Sequence, residues 1–119
     1  MDFMKCNWDD DTRHVYVTLI VKDYPPEGVA LEDLEPMIQE IRKKADSMTI
    51  KVDLHGAGLV GGARIRAIIK LCVDVTEYTR EDDILRQIHV TGAGFLFRMI
   101  YAPISVAIPK YFRDMIVFL

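Results

Sequence analysis

The sharpest chemical pattern in the sequence is the segment Gly56-Ala57-Gly58-Leu59-Val60-Gly61, which has the GxGxxG spacing of a dinucleotide-binding loop. It stands between a predicted strand and a predicted helix, as such a loop requires. However, the acids about 20 positions further on, residues 81–83, precede the next predicted strand, whereas a ribose-binding acid belongs at that strand's end. We therefore favour a plain strand-to-helix turn over a cofactor site, and we expect no cofactor.

A generic anion site is the intermediate possibility at this turn, because the first N–H groups of a helix point towards any anion placed there. Asp53 precedes the loop at the carboxyl end of a predicted strand, where ligands bind in open α/β sheets. A solvated carboxylate or a helix cap is the simpler interpretation of that residue. The candidate residues of this loop site are Asp53, Gly56, Gly58, Gly61, Gly62 and Arg64.

Other residues capable of catalysis or metal binding are dispersed along the chain. His14, His55 and His89 each lie at or near a predicted strand, and no two of them have the spacing of zinc ligands. No serine stands in a nucleophile-elbow motif, and Cys6 and Cys72 lack CxxC spacing. We therefore expect a protein that binds something without catalysing a reaction and without holding a metal.

Composition and charge narrow the class of protein further. A chain of 119 residues that is 50% hydrophobic and 28% charged is typical of one globular domain. We expect residues 1–13 to form an N-terminal arm and residues 14–119 to form a single α/β domain. The net charge of −3 disfavours nucleic acid as a partner. The lack of a signal-peptide pattern and of a long apolar run predicts a cytoplasmic protein without a transmembrane segment.

The hydrophobic periodicity predicts strands and helices in alternation. The third helical run is interrupted by Pro103, which predicts a kink, and Pro36 moves the expected start of the first helix to near Glu35. A turn is expected at 111–114. The predicted strands are 14–22, 48–54, 85–91 and 115–119. The predicted helices are the run within 31–44, which is expected to become helical near Glu35, and the segments 63–76 and 95–107.

The order β-α-β-α-β-α-β predicts an α/β superhelix with a mostly parallel, four-stranded sheet. Right-handed crossovers between sequential strands would place the helices mainly on one face of that sheet. The alternation within the second strand supports this arrangement, because Thr49, Lys51 and Asp53 would otherwise be buried polar groups that need partners.

The segment from residue 95 to residue 111 carries more apolar side chains than one helical face can hold. Such a segment must be covered, so it lines a ligand pocket, lies at a dimer interface, or is a helix buried in the core. The sequence leaves these three possibilities open. The candidate residues for binding an apolar ligand are Phe95, Phe97, Met99, Ile100, Tyr101, Ile104 and Ile108.

The second half of the sequence resembles the core of the CRAL-TRIO lipid-binding family. Val52-Asp53-Leu54-His55-Gly56 is similar to that family's strand ending in Asp-Leu-x-Gly, and Ile88-His89-Val90-Thr91-Gly92-Ala93 is similar to its next strand. Residues 95–109 resemble the helix that gates the family's lipid pocket, and residues 113–119 resemble the strand that follows it. This resemblance implies a domain that binds a lipid or another apolar small molecule.

STAS regulatory domains share this superhelix, and residues 50–71 resemble their strand-loop-helix segment. In that family a phosphorylatable serine opens the helix, whereas Gly61-Gly62-Ala63 stands there in this sequence. The alternative function is therefore a protein-interaction module without a phospho-switch, whose uncovered sheet face or second helix contacts a protein partner or a second copy. A nucleotide-dependent enzyme that uses the loop at 56–61 is the weaker alternative.

Overall fold

A five-stranded mixed sheet forms the centre of the structure, a computed structural model that describes residues 2–25, 27–58, 62–79 and 84–119. The strands lie side by side in chain order. The first strand is antiparallel to the second, and all other neighbours are parallel. The strands are β1 (Met4–Asp9), β2 (His14–Ile20), β3 (Ser47–Asp53), β4 (Leu85–Thr91) and β5 (Ile116–Phe118).

The described residues contain four α-helices, and these connect the parallel strands in turn. The helices are α1 (Leu31–Lys44), α2 (Gly62–Thr79), α3 (Phe95–Ser105) and α4 (Lys110–Asp114). A short 3₁₀ turn, Val21–Asp23, follows β2. The first crossover is α1, the second is α2, and α3 and α4 together form the third. The predicted alternation of strands and crossover helices is therefore confirmed from β2 onwards.

All crossover helices pack on the same face of the sheet, as the right-handed connections predict. Their buried side chains join the inward-facing strand residues in one hydrophobic core, in which Val15, Leu34, Ile65, Ile88 and Phe112 are among the most buried. The period of two in the strands produces the inner layer of this core, and the period of 3.6 in α1 and α2 produces its cover.

The prediction of four strands is wrong, because residues 4–9 lie in the sheet as β1 and not in an arm. β1 pairs with β2 from Met4–Leu19 to Asp9–His14, and the two strands form a hairpin. Its turn includes Arg13, whose φ of 53° lies in the left-handed region. The signal was present in the sequence, since three apolar residues alternate with Lys5, Asn7 and Asp9. The acidic run that follows masked it.

Three smaller differences concern proline and the ends of elements. The first helix begins at Leu31 and contains Pro36, so this helix gives up only the hydrogen bond that would run to the Glu32 carbonyl. The third helix ends at Ser105, soon after Pro103, with Gly94 at its N-cap. Residues 110–114 form the short helix α4 where a turn was expected.

Candidate functional site

The site that the structure builds from the apolar segment lies between α3 and the sheet. α3 follows β4 through Gly92-Ala93-Gly94 and lies beside α2. Its half-buried side chains Phe97, Ile100, Tyr101 and Ile104 pack against the core. Its apolar sequence therefore forms an inner face that contacts the core, and the remaining apolar side chains must point elsewhere.

A small apolar cavity of about 40 Å³ lies beneath the inner face of α3. Phe97 and Tyr101 contribute to it from α3, and Phe112 contributes from α4. Cys72 on α2 contributes a thiol to this lining. Burial raises the pKa of that thiol to about 12, which keeps it protonated. The lining residues are Val52, Leu54, Ile65, Ile68, Ile69, Cys72, Ile88, Val90, Phe97, Tyr101, Phe112, Ile116 and Phe118.

A larger cleft of about 380 Å³ opens to solvent between α2 and the segment from α3 to α4. Ile69 lines this cleft as well as the small cavity, so its side chain borders both spaces. Most of the cleft is apolar, and its only charged lining residues among those described are Arg66 and Lys70. The lining residues are Arg66, Ile69, Lys70, Val73, Pro103, Ile104, Ala107, Ile108 and Pro109.

Aromatic contacts attach the inner face of α3 to the sheet. Tyr101 packs edge-on against Phe118 of β5, with ring centroids 5.5 Å apart, and it stacks on Phe97 at 6.4 Å. The guanidinium of Arg98 lies 5.1 Å from the Phe118 centroid, which is a cation–π contact. Burial raises the pKa of the Tyr101 phenol, while the nearby Arg113 charge opposes that shift. The contacts of Tyr101 and Arg98 with Phe118 thus join α3 to β5.

The outer face of α3 carries apolar side chains that the described residues leave uncovered. Phe95 is 76% exposed, Met99 is 56% exposed, and Val106, just past the helix, is 77% exposed. Their spacing of four and seven residues places them on one stripe. Of the predicted ligand-binding residues, Phe97 and Tyr101 thus line the cavity, Ile104 and Ile108 line the cleft, Ile100 packs on the core, and Phe95 and Met99 point outward.

The sequence identified only the α3 side of this site. The opposite wall comes from α2, where Ile65, Ile68 and Ile69 belong to the predicted apolar stripe, and from the floor of the sheet at Val52 and Val90. The prediction treated those residues as ordinary core. A signal was available, because the apolar stripes of α2 and α3 must both face the sheet if the two helices cover the same side of it.

The loop after β3 holds Asp53 in local hydrogen bonds. The Asp53 carboxylate accepts a bond from the backbone N–H of His55 and lies 2.9 Å from the His55 ring Nδ1. The bond from the His55 backbone, the His55 ring and the Lys22 charge lower the pKa of Asp53 below its ordinary value of 3.8. Asp53 therefore forms a small turn with His55 at the carboxyl end of β3.

The other candidate residues of the loop site are placed as follows. Gly56 and Gly58 have φ of 74° and 68°, which the left-handed turn requires. Gly62 is the first residue of α2, and Gly61 lies outside the described residues. Arg64 donates from Nη2 to the carbonyls of Val21 and Tyr24, each at 2.7 Å. Its guanidinium thus joins α2 to the end of β2, and the anion site stays a prediction.

The face of the sheet opposite the helices is polar. His14 lies on it at the start of β2, with Nδ1 2.5 Å from Ser47 Oγ and Nε2 2.9 Å from Thr49 Oγ1. Thr49 is buried by these neighbours although it lies on the uncovered side, and Lys51 stacks over Tyr16. No cluster of three potential metal ligands is present among the described residues. Within the same residues no helix is both long enough and apolar enough to cross a bilayer.

Comparison with known proteins gives matches in structure and none in sequence. No family model matches the chain, and no curated protein matches it in sequence. Among solved structures, the chain is similar to "Crystal structure of Sfh5", with a TM-score of 0.61 and 13% identity. The match covers 99% of this chain and 47% of that one, so the chain spans about half the length of that structure. Sfh5 belongs to the Sec14/CRAL-TRIO family, and the fold of this chain is CRAL-TRIO-like.

Proposed function

We propose that this domain binds a lipid or another apolar ligand between α3 and the sheet, and that it does so without catalysing a reaction. The observation that carries the proposal is the position of Ile69, which lines both the apolar cavity and the open cleft. We infer that its side chain separates the two spaces. The CRAL-TRIO-like fold supports the same function. The ligand enters from the cleft and displaces the wall that Ile69 forms.

The volumes explain why a movement is needed. A cavity of about 40 Å³ holds little more than a water molecule. Ligand pockets typically measure roughly 300–1,000 Å³. The cleft, at about 380 Å³, already lies in that range, and a rotation of Ile69 joins it to the cavity. Apolar binding is then driven by burial of an alkyl chain against Ile69, Ile104 and the sheet, at roughly 25 cal/mol per Å².

A small shift of α3 enlarges the space further. α3 contacts the core through four half-buried side chains, Phe97, Ile100, Tyr101 and Ile104, and it is short and contains Pro103. Because the outer stripe at Phe95, Met99 and Val106 is exposed, α3 loses no outer packing when it moves. This helix is therefore the element that opens and closes the site.

The first test is a calorimetric titration of the purified protein with oleyl alcohol. The second is native mass spectrometry of protein expressed in a lipid-containing host. We expect saturable binding that the change Ile69→Trp weakens by about tenfold or more, because the indole fills the space on both sides of the wall. Ala63→Trp, on the exposed side of the same helix, is the matched control and leaves binding unchanged.

A second variant, Ile69→Ala, tests the same proposal if the Ile69→Trp protein does not fold. Removal of the side chain joins the two spaces, so this variant retains or strengthens binding at a modest loss of stability. A clean apo mass combined with no heat of binding in both the natural protein and Ile69→Ala would exclude a lipid-binding function.

A second candidate function is the STAS-like one, in which the domain contacts a protein partner or a second copy. The exposed stripe of α3 favours it, because exposed apolar residues on one helix face often mark an interface. Light scattering across protein concentration tests the homodimer. Self-association that is lost in Phe95→Ser and Met99→Ser supports it, and a strict monomer at millimolar concentration excludes it.

A further inference from the structure

The charged residues of the cleft are both positive. Arg66 and Lys70 stand one turn apart on α2, so they lie on one edge of the helix, and the cleft between them and α3 is lined by no acid among the described residues. The chain as a whole has a net charge of −3, so this positive edge is opposite in sign to the net charge of the protein. Simple packing of α2 on α3 does not require it.

We propose that the ligand is an amphiphile with an anionic head group, which Arg66 and Lys70 bind at the rim of the cleft while its alkyl chain passes Ile69 towards the cavity. This inference rests on the proposed function, and it adds the chemical class of the ligand. A carboxylate or a phosphate monoester on a single long chain has the required shape, with one charged end and one apolar end.

The two side chains have hydrogen-bond donors that a head group could use. Arg66 is exposed and forms no ion pair with the described residues, so its five donors are available for a bidentate bond to a carboxylate. Lys70 lies 2.8 Å from Asp74, a neighbour on α2 that does not line the cleft. The Lys70 ammonium can keep this partner and still donate to a head group, because it has three donors.

The opposite wall of the cleft adds no negative charge. From residue 84 to residue 119 the chain carries four cations and a single acid, Asp114. That acid is paired with Lys110 at 3.0 Å. An anionic head group in the cleft therefore meets attraction from α2 and no unpaired carboxylate from the α3–α4 side. The apolar lining at Ile104, Ile108 and Val73 accommodates the first part of the alkyl chain.

The experiment compares oleate with oleyl alcohol, two probes that share one alkyl chain and differ in head-group charge. Each is titrated below its aggregation range into the full chain and into the double variant Arg66→Gln, Lys70→Gln. The matched control is Lys5→Gln, Lys43→Gln, which removes the same charge from exposed positions outside this cleft. Circular dichroism and melting confirm that all three proteins are folded.

We expect oleate to bind the natural protein about tenfold or more tightly than oleyl alcohol, because hydrogen bonds to a charged group are worth roughly 1.5–3 kcal/mol. That preference disappears in the cleft variant and persists in the control. If both probes bind equally, or if the preference survives in the cleft variant, the head-group inference is overturned and the proposed apolar site stands. If neither probe binds the natural protein, the proposed function itself is overturned.

Discussion

Tyr101 of α3 packs edge-on against Phe118 of β5, with their ring centroids 5.5 Å apart and their planes at 70°. This contact joins the helix that covers the apolar cavity to the last strand of the sheet. Both rings line the cavity, so the pair is part of the site. We expect this pair to hold α3 over the cavity and to limit how readily the cavity opens.

Tyr101→Ala is expected to lower the free energy of unfolding by about 1–3 kcal/mol, through lost burial and a lost aromatic pair. Urea denaturation measures this change. A double-mutant cycle with Phe118→Leu should give a coupling of about 0.5–1.5 kcal/mol. Phe95→Ala, on the exposed stripe of the same helix, is the control and changes stability by less than about 0.5 kcal/mol. A coupling near zero would mean that the pair does not attach α3.

The Cys72 thiol reports on opening of the cavity. It is buried among the lining residues and its pKa is raised to about 12, so in the closed state it reacts very slowly with a disulfide reagent at pH 8. In a Cys6→Ala background, Tyr101→Ala is expected to speed labelling by about tenfold or more, because it lowers the free energy of local opening. Fast labelling of the natural protein would contradict a closed cavity.

Arg64 is expected to contribute to stability and not to anion binding. Its Nη2 donates to the carbonyls of Val21 and Tyr24, so Arg64→Met leaves two acceptors without a charged donor and costs about 1–3 kcal/mol. Arg64→Lys recovers part of that loss, because a lysine offers a point charge in place of a planar fork. Thermal unfolding in the presence and absence of phosphate checks both points. If phosphate stabilises the natural protein but not the Arg64 variants, that result would support anion binding by Arg64.

Asp53 should make stability depend on pH in the acid range. Its pKa is lowered in the folded protein, chiefly by the His55 backbone N–H, so it stabilises the fold above its ordinary pKa of 3.8, and this contribution is lost as pH falls through the lowered value. Asp53→Asn is therefore expected to destabilise the protein at pH 6 and to have a smaller effect at pH 2.5. Melting temperatures at the two pH values measure the difference. An equal effect at both would contradict the charge-dependent contribution.

A side chain at position 92 is expected to destabilise the protein. Gly92 has a φ of 75°, and a Cβ at this position would lie 2.9 Å from the backbone N of His55. Gly92→Ala should therefore cost about 1–3 kcal/mol, through strain and through displacement of the neighbouring loop. Gly94→Ala is the matched control, because a Cβ at Gly94 would meet no heavy atom within 4 Å and its φ of −83° suits any residue. Denaturant midpoints of the two variants should differ clearly.

Local periodicity in the sequence was sufficient to predict most of the secondary structure. The alternation around β2, β3 and β4 and the stripe of α2 were predicted at nearly their observed bounds, because a period of two or of 3.6 is set by neighbouring residues alone. The stripe of α1 was also predicted, but its start was expected near Glu35 and lies at Leu31. The same local rules placed the helices on one face through the handedness of the crossovers. β1 carried an equally local signal, which the acidic run after Asp9 obscured.

The role of the apolar segment, in contrast, depends on packing between distant parts of the chain. Phe97 and Phe95 are neighbours on one helix with the same side chain, yet one lines the cavity and the other is exposed, because the packing of α3 on the core decides which of its faces is covered. Ile69 likewise looks like ordinary core in the sequence. Its place between a cavity and a cleft results from contacts among residues far apart in the chain, which no local pattern records.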